Sequence, residues 1–253
     1  MIPKIIHYCW FGHGHKPALA EKCIASWRKY LPDYEIKEWN EDNFDVNSIP
    51  YTEEAYRVRK YAFVSDYARF WILYNYGGLY FDTDVELVKS PEIIIGSGNF
   101  MCVEDNGLDH SQKARRLNNK EFLVNPGLGM GAEPHVPIYK EMLEGYRQSH
   151  FILPNGKMNN DNVVSRMSRI LYAHGMRITD KIQVVDNICI YPKDWMCPIR
   201  TTDGKMTITS NTVSIHHYAA SWTSPTHRFL RKLLLRIGGA RLKIWLSKHF
   251  RSN

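Results

Sequence analysis

Apolar positions run along this chain in two rhythms, and the alternation between them predicts its elements. Lys4 to Trp10 (KIIHYCW) is a nearly unbroken apolar run. It reads as a buried opening strand closed by the turn Gly12-His13-Gly14. From Ala18 to Tyr30 the spacing becomes helical, with Leu19, Cys23, Ile24 and Trp27 on one side. Pro32-Asp33 ends that helix, and Tyr34 to Trp39 reads as a second strand. Strand, helix and strand at this spacing predict a βαβ unit and a parallel sheet. Glu53 to Tyr76 reads as one long helix, preceded by Pro50 and stopped by Gly77-Gly78. Leu79 to Leu87 (LYFDTDVEL) follows as a strand, and Asn99 to Glu104 as another. Val136 to Tyr146 and Asn162 to His174 have helical spacing. Val184 to Pro192 and Met206 to Tyr218 have strand character. The pattern is mixed α/β throughout, without internal repeats and without a linker before about Ser224.

Composition adds little until charge is considered. The 253 residues are 44% apolar and 23% charged, enough to bury a full core. Most of the seven Trp and fifteen Tyr are expected in that core, with one or two left to stack on sugars or bases. The net charge is +7, but the last acidic residue is Asp203, and eight Lys/Arg follow His227. The tail therefore accounts for the whole excess, and the body is near neutral. Such asymmetry suggests a tail that meets an anionic surface, membrane or nucleic acid. At 100° per residue, Arg228, Arg231, Lys232 and Arg236 fall on one side of a helix and Leu230, Leu233, Leu234 and Ile237 on the other. An interfacial anchor on anionic lipid is the expectation for residues 224–253, and a helix pair packed on the body is the alternative.

The five cysteines, Cys9, Cys23, Cys102, Cys189 and Cys197, are odd in number and form no CxxC pair. Neither a zinc site nor a disulfide framework is expected, and a reducing compartment fits best. The opening residues lack the apolar core of a signal peptide, and no stretch reaches about 18 uninterrupted apolar residues. A cytoplasmic protein, peripherally held at the inner face of a membrane, is expected.

The chemistry is concentrated in three segments. In Gly77-Gly78-Leu-Tyr-Phe-Asp82-Thr-Asp84-Val-Glu86, the two aspartates sit two positions apart, so on a strand they project together. Paired carboxylate oxygens at a strand end suit Mg²⁺ or Mn²⁺. Such an ion bridges phosphates and neutralises a departing nucleoside diphosphate. A DxD by itself is a weak signal, but two acids in an apolar strand are costly unless something pairs with them. On the preceding helix, Asp66 and Arg69 are neighbours on one face. A surface ion pair there would be worth little. Their apolar surroundings instead predict partial burial and a role in holding hydroxyls and phosphate oxygens. In Ser214-Ile-His216-His217-Tyr-Ala-Ala-Ser221-Trp222, adjacent histidines on a strand face opposite ways, so one at most completes the Asp82–Asp84 shell.

Together these segments bring out a resemblance. IPKIIHYCWFG, FVSDYARFWILYNYGGLYFDTDVE and HHYAASW resemble glycosyltransferases whose sugar-binding region contains the DXD motif, the family 32 type. That group includes bacterial capsular polysaccharide and lipopolysaccharide transferases, the yeast initiating mannosyltransferase and, more distantly, the glucosylating clostridial toxins. The match is good over residues 1–90 and looser over 120–222. It implies a GT-A fold over residues 1–223, a Rossmann-like, mostly parallel sheet with flanking helices, followed by the basic helical segment 224–253. It implies a nucleotide-sugar donor, a glycan or lipid-linked acceptor, and retention of anomeric configuration. By the same resemblance Asp84 binds Mn²⁺ or Mg²⁺ directly, and Asp82 contacts ribose or sugar and the metal shell. Asp66 and Arg69 match donor-sugar contacts, Trp10 an aromatic stacked on the base, and Ser221 and Trp222 a loop closing over the diphosphate. Tyr80 lines the donor pocket. His217 is the first choice for the metal shell and His216 the second. Asn125, in Asn125-Pro-Gly-Leu-Gly, falls where the family places a loop under the acceptor, though a Gly-rich turn explains it equally. Asn159 to Asn162 reads as a helix cap or an acceptor-side contact, the cap being preferred. UDP is favoured over GDP because a stacking Trp suits a flat uracil.

Three other classes compete. A nucleic-acid-binding module would explain the basic tail but would leave the Asp pair unexplained, and acids in a binding face would oppose it, so no nucleic-acid partner is expected. Haloacid dehalogenase-like phosphatases also place DxD after a strand, but normally with Thr or Val two positions beyond the second Asp, where this chain has Glu86. A catalytically silent sugar-binding protein would not require every motif position to be filled.

Overall fold

The computed structural model describes residues 1–105, 123–201 and 204–219. The opening strand β1 (Ile5–Cys9), helix α1 (Ala18–Tyr30) and strand β2 (Glu35–Trp39) form the expected βαβ unit, with β1 and β2 parallel. Helix α2 (Pro50–Arg57) precedes α3 (Tyr61–Tyr76), and β3 (Gly78–Tyr80) pairs with β1, again parallel. Strand β4 (Val85–Leu87), helix α4 (Glu92–Ile95) and β5 (Phe100–Cys102) come next. They are followed by β6 (Met130–Ala132), α5 (Pro137–Arg147), α6 (Val163–Ala173), β7 (Gln183–Val185), β8 (Ile188–Tyr191), α7 (Lys193–Met196) and β9 (Ser214–His216).

Seven strands make one sheet in the order β2-β1-β3-β6-β5-β8-β7. Strands β6 and β7 run against the other five, giving the mixed, mostly parallel, Rossmann-like sheet with flanking helices that was expected. Apolar side chains cover both faces. One cluster joins the sheet to α2, α3, α5 and α6 through Tyr51, Phe70, Tyr139 and Met167. The other joins it to α1 and β4 through Trp27, Phe81, Val85 and Leu87. Each large side chain buried this way contributes roughly 1.5–3 kcal/mol. Helix α3 is apolar nearly all round and lies inside, with Val64, Ala68, Phe70, Ile72 and Leu73 fully covered.

The single helix expected over 53–76 is two. The chain breaks at Val58–Lys60, where Arg59 is left-handed (φ 58°) and the Lys60 N–H donates to Ala55 O at 2.8 Å, a helix-ending turn. The strand expected over 79–87 is also two strands, in different sheets. Strand β3 ends at Tyr80, Asp82 O accepts from Val85 N–H at 3.0 Å across a turn, and β4 then pairs antiparallel with β9 in a two-stranded sheet. Of the strand expected over 206–218 only Ser214–His216 forms.

The turn into β3 requires its glycines. Gly77 and Gly78 both have positive φ (64° and 100°), and a β-carbon on Gly78 would lie 2.7 Å from Ile5 O. Beside them His7 is buried. Its Nδ1 accepts from Trp39 Nε1 at 3.0 Å, so its Nε2–H is free to donate to Gly77 O at 3.0 Å. Burial holds its pKa down near 4, against the raising effect of the Gly77 carbonyl. A neutral imidazole thus ties β1, β2 and the glycine turn together. All five cysteines are buried and free.

Candidate metal and donor site

At the carboxyl end of β3 the chain turns rather than continuing extended, so the same-face argument for Asp82 and Asp84 does not apply. Asp82, Thr83 and Asp84 form the link between the two sheets. Two buried acids inside a strand would be left without partners, whereas a turn at the sheet edge lets each find its own. What brings them together is β9. The register pairs Val85 with His216, and this sets the His216 ring beside the acids. Ligand atoms of Asp82, Asp84 and His216 all lie within 4.8 Å of one another, the one such group among the described residues.

Asp84 is held from three directions. Its Oδ1 lies 3.1 Å from His216 Nε2, its Oδ2 accepts from Ala219 N–H at 2.8 Å, and its carbonyl accepts from His217 N–H at 2.9 Å. Burial pushes its pKa up, but the His216 charge and these donors outweigh burial and bring it down to about 2. His216 shifts the other way. Burial lowers its pKa, and Asp84 more than compensates, so the ring is raised above the ordinary histidine value. His217 faces away, with Nε2 2.8 Å from Glu86 Oε2, which also accepts from Lys22 Nζ at 2.8 Å. The order of preference between the histidines is therefore reversed: His216 reaches the acids, and His217 ties Glu86 on the opposite face.

The second half of the site is Arg69, almost fully buried on α3. Its Nη2 lies 2.9 Å from Asp66 Oδ1 and 3.3 Å from Asp82 Oδ1, its Nε donates to Ser65 O at 3.1 Å, and its guanidinium sits over the Tyr80 ring at 5.0 Å. Burial would lower its pKa, but Asp82 and its other neighbours raise it, so the charge is fixed. One cation thus serves two carboxylates. Burial raises Asp66 to about 6 despite Arg69 and a backbone N–H from Val163. Asp82 is also raised, by burial first and by Asp84 in addition, with Arg69 opposing. Tyr80 is buried and its hydroxyl donates to Asp82 Oδ1 at 3.2 Å.

Trp10 follows β1, half-buried. Its backbone N–H donates to Trp39 O at 2.8 Å and its Nε1 to Gly14 O at 2.6 Å, so the ring is tethered to its own loop. Asn125 caps the short turn Pro126–Leu128, accepting from Gly127 N–H at 2.8 Å and donating to Glu104 at 3.3 Å. Gly127 lies directly on the site: a β-carbon there would stand 2.4 Å from Asp82 Oδ2 and 3.4 Å from Arg69. Asn162 caps α6 through Ser165 N–H at 2.9 Å, as preferred above. Ser221, Trp222 and the segment 224–253 lie outside the described residues. No local pattern announces the Ala219 N–H on Asp84 or Val163 beside Asp66, because each is brought in by distant packing.

Two carboxylates and an imidazole offer oxygen and nitrogen donors in one small space, a set able to hold a divalent cation. The imidazole fits Mn²⁺ better than Mg²⁺, which prefers oxygen alone.

Known proteins share this region. Residues 17–101 match the family described as glycosyltransferase sugar-binding region containing DXD motif. The similarity is to glycosyltransferases. An uncharacterized glycosyltransferase, L373, of Acanthamoeba polyphaga mimivirus is 26% identical over 217 residues, 80% of each chain. Inositol phosphoceramide mannosyltransferase 3 of Schizosaccharomyces pombe is 33% identical over 95 residues, 33% of this chain and 24% of its own. Among solved structures, the PaToxG glycosyltransferase superposes with a TM-score of 0.46 at 19% identity, covering 68% of this chain and 69% of that one. Among the described residues no helix is long and apolar enough to cross a membrane.

Proposed function

We propose that this chain is a metal-dependent, retaining glycosyltransferase that moves a hexose from a nucleotide-sugar, UDP-linked by preference, to a glycan or lipid-linked acceptor in surface polysaccharide synthesis. The observation that carries this reading is the convergence of Asp82, Asp84 and His216 beside the buried Asp66–Arg69 pair.

Asp84 and His216, with Asp82 adjoining, would hold Mn²⁺ or Mg²⁺. When bound, the ion supplies charge neutralisation at the diphosphate leaving group. The chain's own residues do the rest. Arg69 keeps Asp82 oriented and sets a fixed positive charge beneath the donor. Asp66, with a pKa near 6, can accept from or donate to sugar hydroxyls close to neutral pH. Tyr80 fixes the Asp82 oxygen facing Arg69. Trp10 offers a ring to the base, and Ser221 and Trp222 are assigned the closing loop by resemblance. Asn125 acts by shaping the turn whose Gly127 leaves room next to Asp82.

We assign residues 1–223 to the transferase domain and 224–253 to a basic interfacial segment. That segment holds the enzyme at the inner face of a membrane, where lipid-linked acceptors are built. Equal binding of anionic liposomes by the full chain and by a chain ending at Ser224 would contradict the anchor.

The activity is tested by incubating the protein with Mn²⁺ and each of UDP-galactose, UDP-glucose, UDP-N-acetylglucosamine and GDP-mannose, with and without oligosaccharide acceptors, and measuring released nucleotide. Release from one donor, abolished by chelator and by Asp84→Asn, is expected. Absence of release together with absence of donor binding by calorimetry in Mn²⁺ would overturn the reading.

A further inference from the structure

Strand β9 ends at His216, and the chain beyond it does something a strand would not. His217 N–H donates to Asp84 O at 2.9 Å, and Ala219 N–H donates to Asp84 Oδ2 at 2.8 Å. Both donors converge on one residue. In an extended chain they would stand about 7 Å apart and reach different partners. The chain folds back between them at Tyr218, whose φ of 50° is left-handed. Glycine takes that conformation freely, whereas a bulky side chain adopts it only where its surroundings enforce it.

The side chain of Tyr218 is held on two sides. Its phenol oxygen lies 3.0 Å from Cys197 Sγ, and that sulfur also accepts from Asp105 N–H at 3.2 Å. The half-buried ring packs against the apolar cluster that contains Phe81, Val85 and Cys197. It also meets the His216 ring edge to face, with centroids 4.2 Å apart and planes at 89°.

The contact between the two rings stands in for a hydrogen bond. A histidine that binds a metal through one ring nitrogen normally fixes its orientation by donating the other N–H to a carboxylate, a carbonyl or water. His216 presents Nε2 to Asp84 Oδ1 at 3.1 Å. Its Nδ1 is buried and, among the described residues, has no hydrogen-bond partner. With Nε2 given over to a cation, packing rather than a second hydrogen bond must fix the plane of the ring, and Tyr218 is the aromatic wall beside it.

We propose that Tyr218 is a positioning residue for the metal centre. Its ring holds the His216 imidazole in the orientation that presents Nε2 to the cation, and its left-handed backbone brings two N–H donors onto Asp84. It acts through His216 and Asp84 and is not itself a ligand. Cys197 anchors it. The assignment rests on the reading of Asp82, Asp84 and His216 as a divalent-cation site.

The test uses the full chain loaded with Mn²⁺ and reads the imidazole directly. Electron spin echo modulation from a nitrogen bound to Mn²⁺ reports whether a histidine is a ligand, its loss in His216→Ala assigns the signal, and titration gives the affinity. Tyr218→Phe keeps the ring and loses only the hydroxyl. It is expected to keep the nitrogen modulation and to bind Mn²⁺ within about threefold of the natural chain. Tyr218→Gly accepts the left-handed backbone without strain but has no ring. It is expected to lose the modulation and to bind Mn²⁺ at least about tenfold more weakly. Tyr218→Leu restores apolar bulk without a flat ring, and the same loss is expected. Modulation and affinity kept within about threefold in either of these two variants, folded by circular dichroism, would overturn the proposal. Failure of both to fold would overturn it too, by making Tyr218 a residue of folding. Loss of the modulation in Tyr218→Phe would assign the effect to the hydroxyl and remove the role of the ring. A natural chain that binds no Mn²⁺, or binds it without nitrogen modulation, would overturn the reading of His216 as a ligand and this inference together.

Discussion

Two buried polar clusters stand on either side of β3, and they solve the same problem differently. Around His7 every polar atom is used: Trp39 donates to Nδ1, Nε2 donates to Gly77 O, and the ring is kept neutral. Around Arg69 the accounts are left open. One guanidinium serves Asp66 and Asp82, both carboxylates are raised by burial, and His216 is drawn to Asp84 with its Nδ1 buried and unpaired. Both lie within one sheet and its edge, so the fold alone does not explain the contrast. A cluster that satisfies itself needs nothing more and serves architecture. A cluster whose charges compete is stabilised further by whatever binds it, and such perturbed groups gather at functional sites.

The comparison can be broken in a definite order. Replacing Asp84 by Asn should reduce nucleotide release by at least about 10³-fold, or about 4 kcal/mol, with little change in melting temperature. Comparable activity in that variant would move the chemistry elsewhere. Arg69→Ala leaves Asp66 and Asp82 buried without their cation and should cost about 3–5 kcal/mol of stability, read by chemical denaturation. An unchanged midpoint would mean that the pair is already solvated.

The His7 cluster makes a smaller prediction, with its own sign. Its folded pKa, near 4, lies below the ordinary value of 6.5, so the unfolded chain takes up the proton first. His7 therefore contributes stability fully above about pH 6.5, and this is lost as pH falls toward 4, by about 3 kcal/mol in all. Other groups titrate in the same window, so the quantity to measure is the difference in denaturation profiles between the natural chain and His7→Gln. That difference should depend on pH between 6.5 and 4 and flatten below it, while Mn²⁺ affinity stays the same. A pH-independent difference would place a charged imidazole in the core.

Much of this was legible in the residues. Helix α1 appears at its expected bounds, and the helical segments at 137–147 and 163–173 match within a residue or two, because each has a clear apolar stripe and punctuation. Chemistry at Asp82-Thr-Asp84 was legible from type and spacing, but its shape was not. Leu79-Tyr-Phe before the motif and Val85-Glu-Leu after it are both apolar runs, and together they mask the turn between them. Nor could local pattern decide between His216 and His217. The choice depends on how β9 registers against β4, a pairing across some 130 residues of chain that depends on the whole core.

The central claim is that Asp84 and His216, rather than His217, hold a divalent cation. It is tested most directly by Mn²⁺ binding, followed by electron paramagnetic resonance in the presence of UDP and of GDP, for the natural chain and for Asp84→Asn, His216→Ala and His217→Ala. One bound ion per chain is predicted. It should be lost in Asp84→Asn, weakened by about tenfold or more in His216→Ala, and kept within about threefold in His217→Ala. Mn²⁺ bound equally well by the natural chain, Asp84→Asn and His216→Ala would contradict the account.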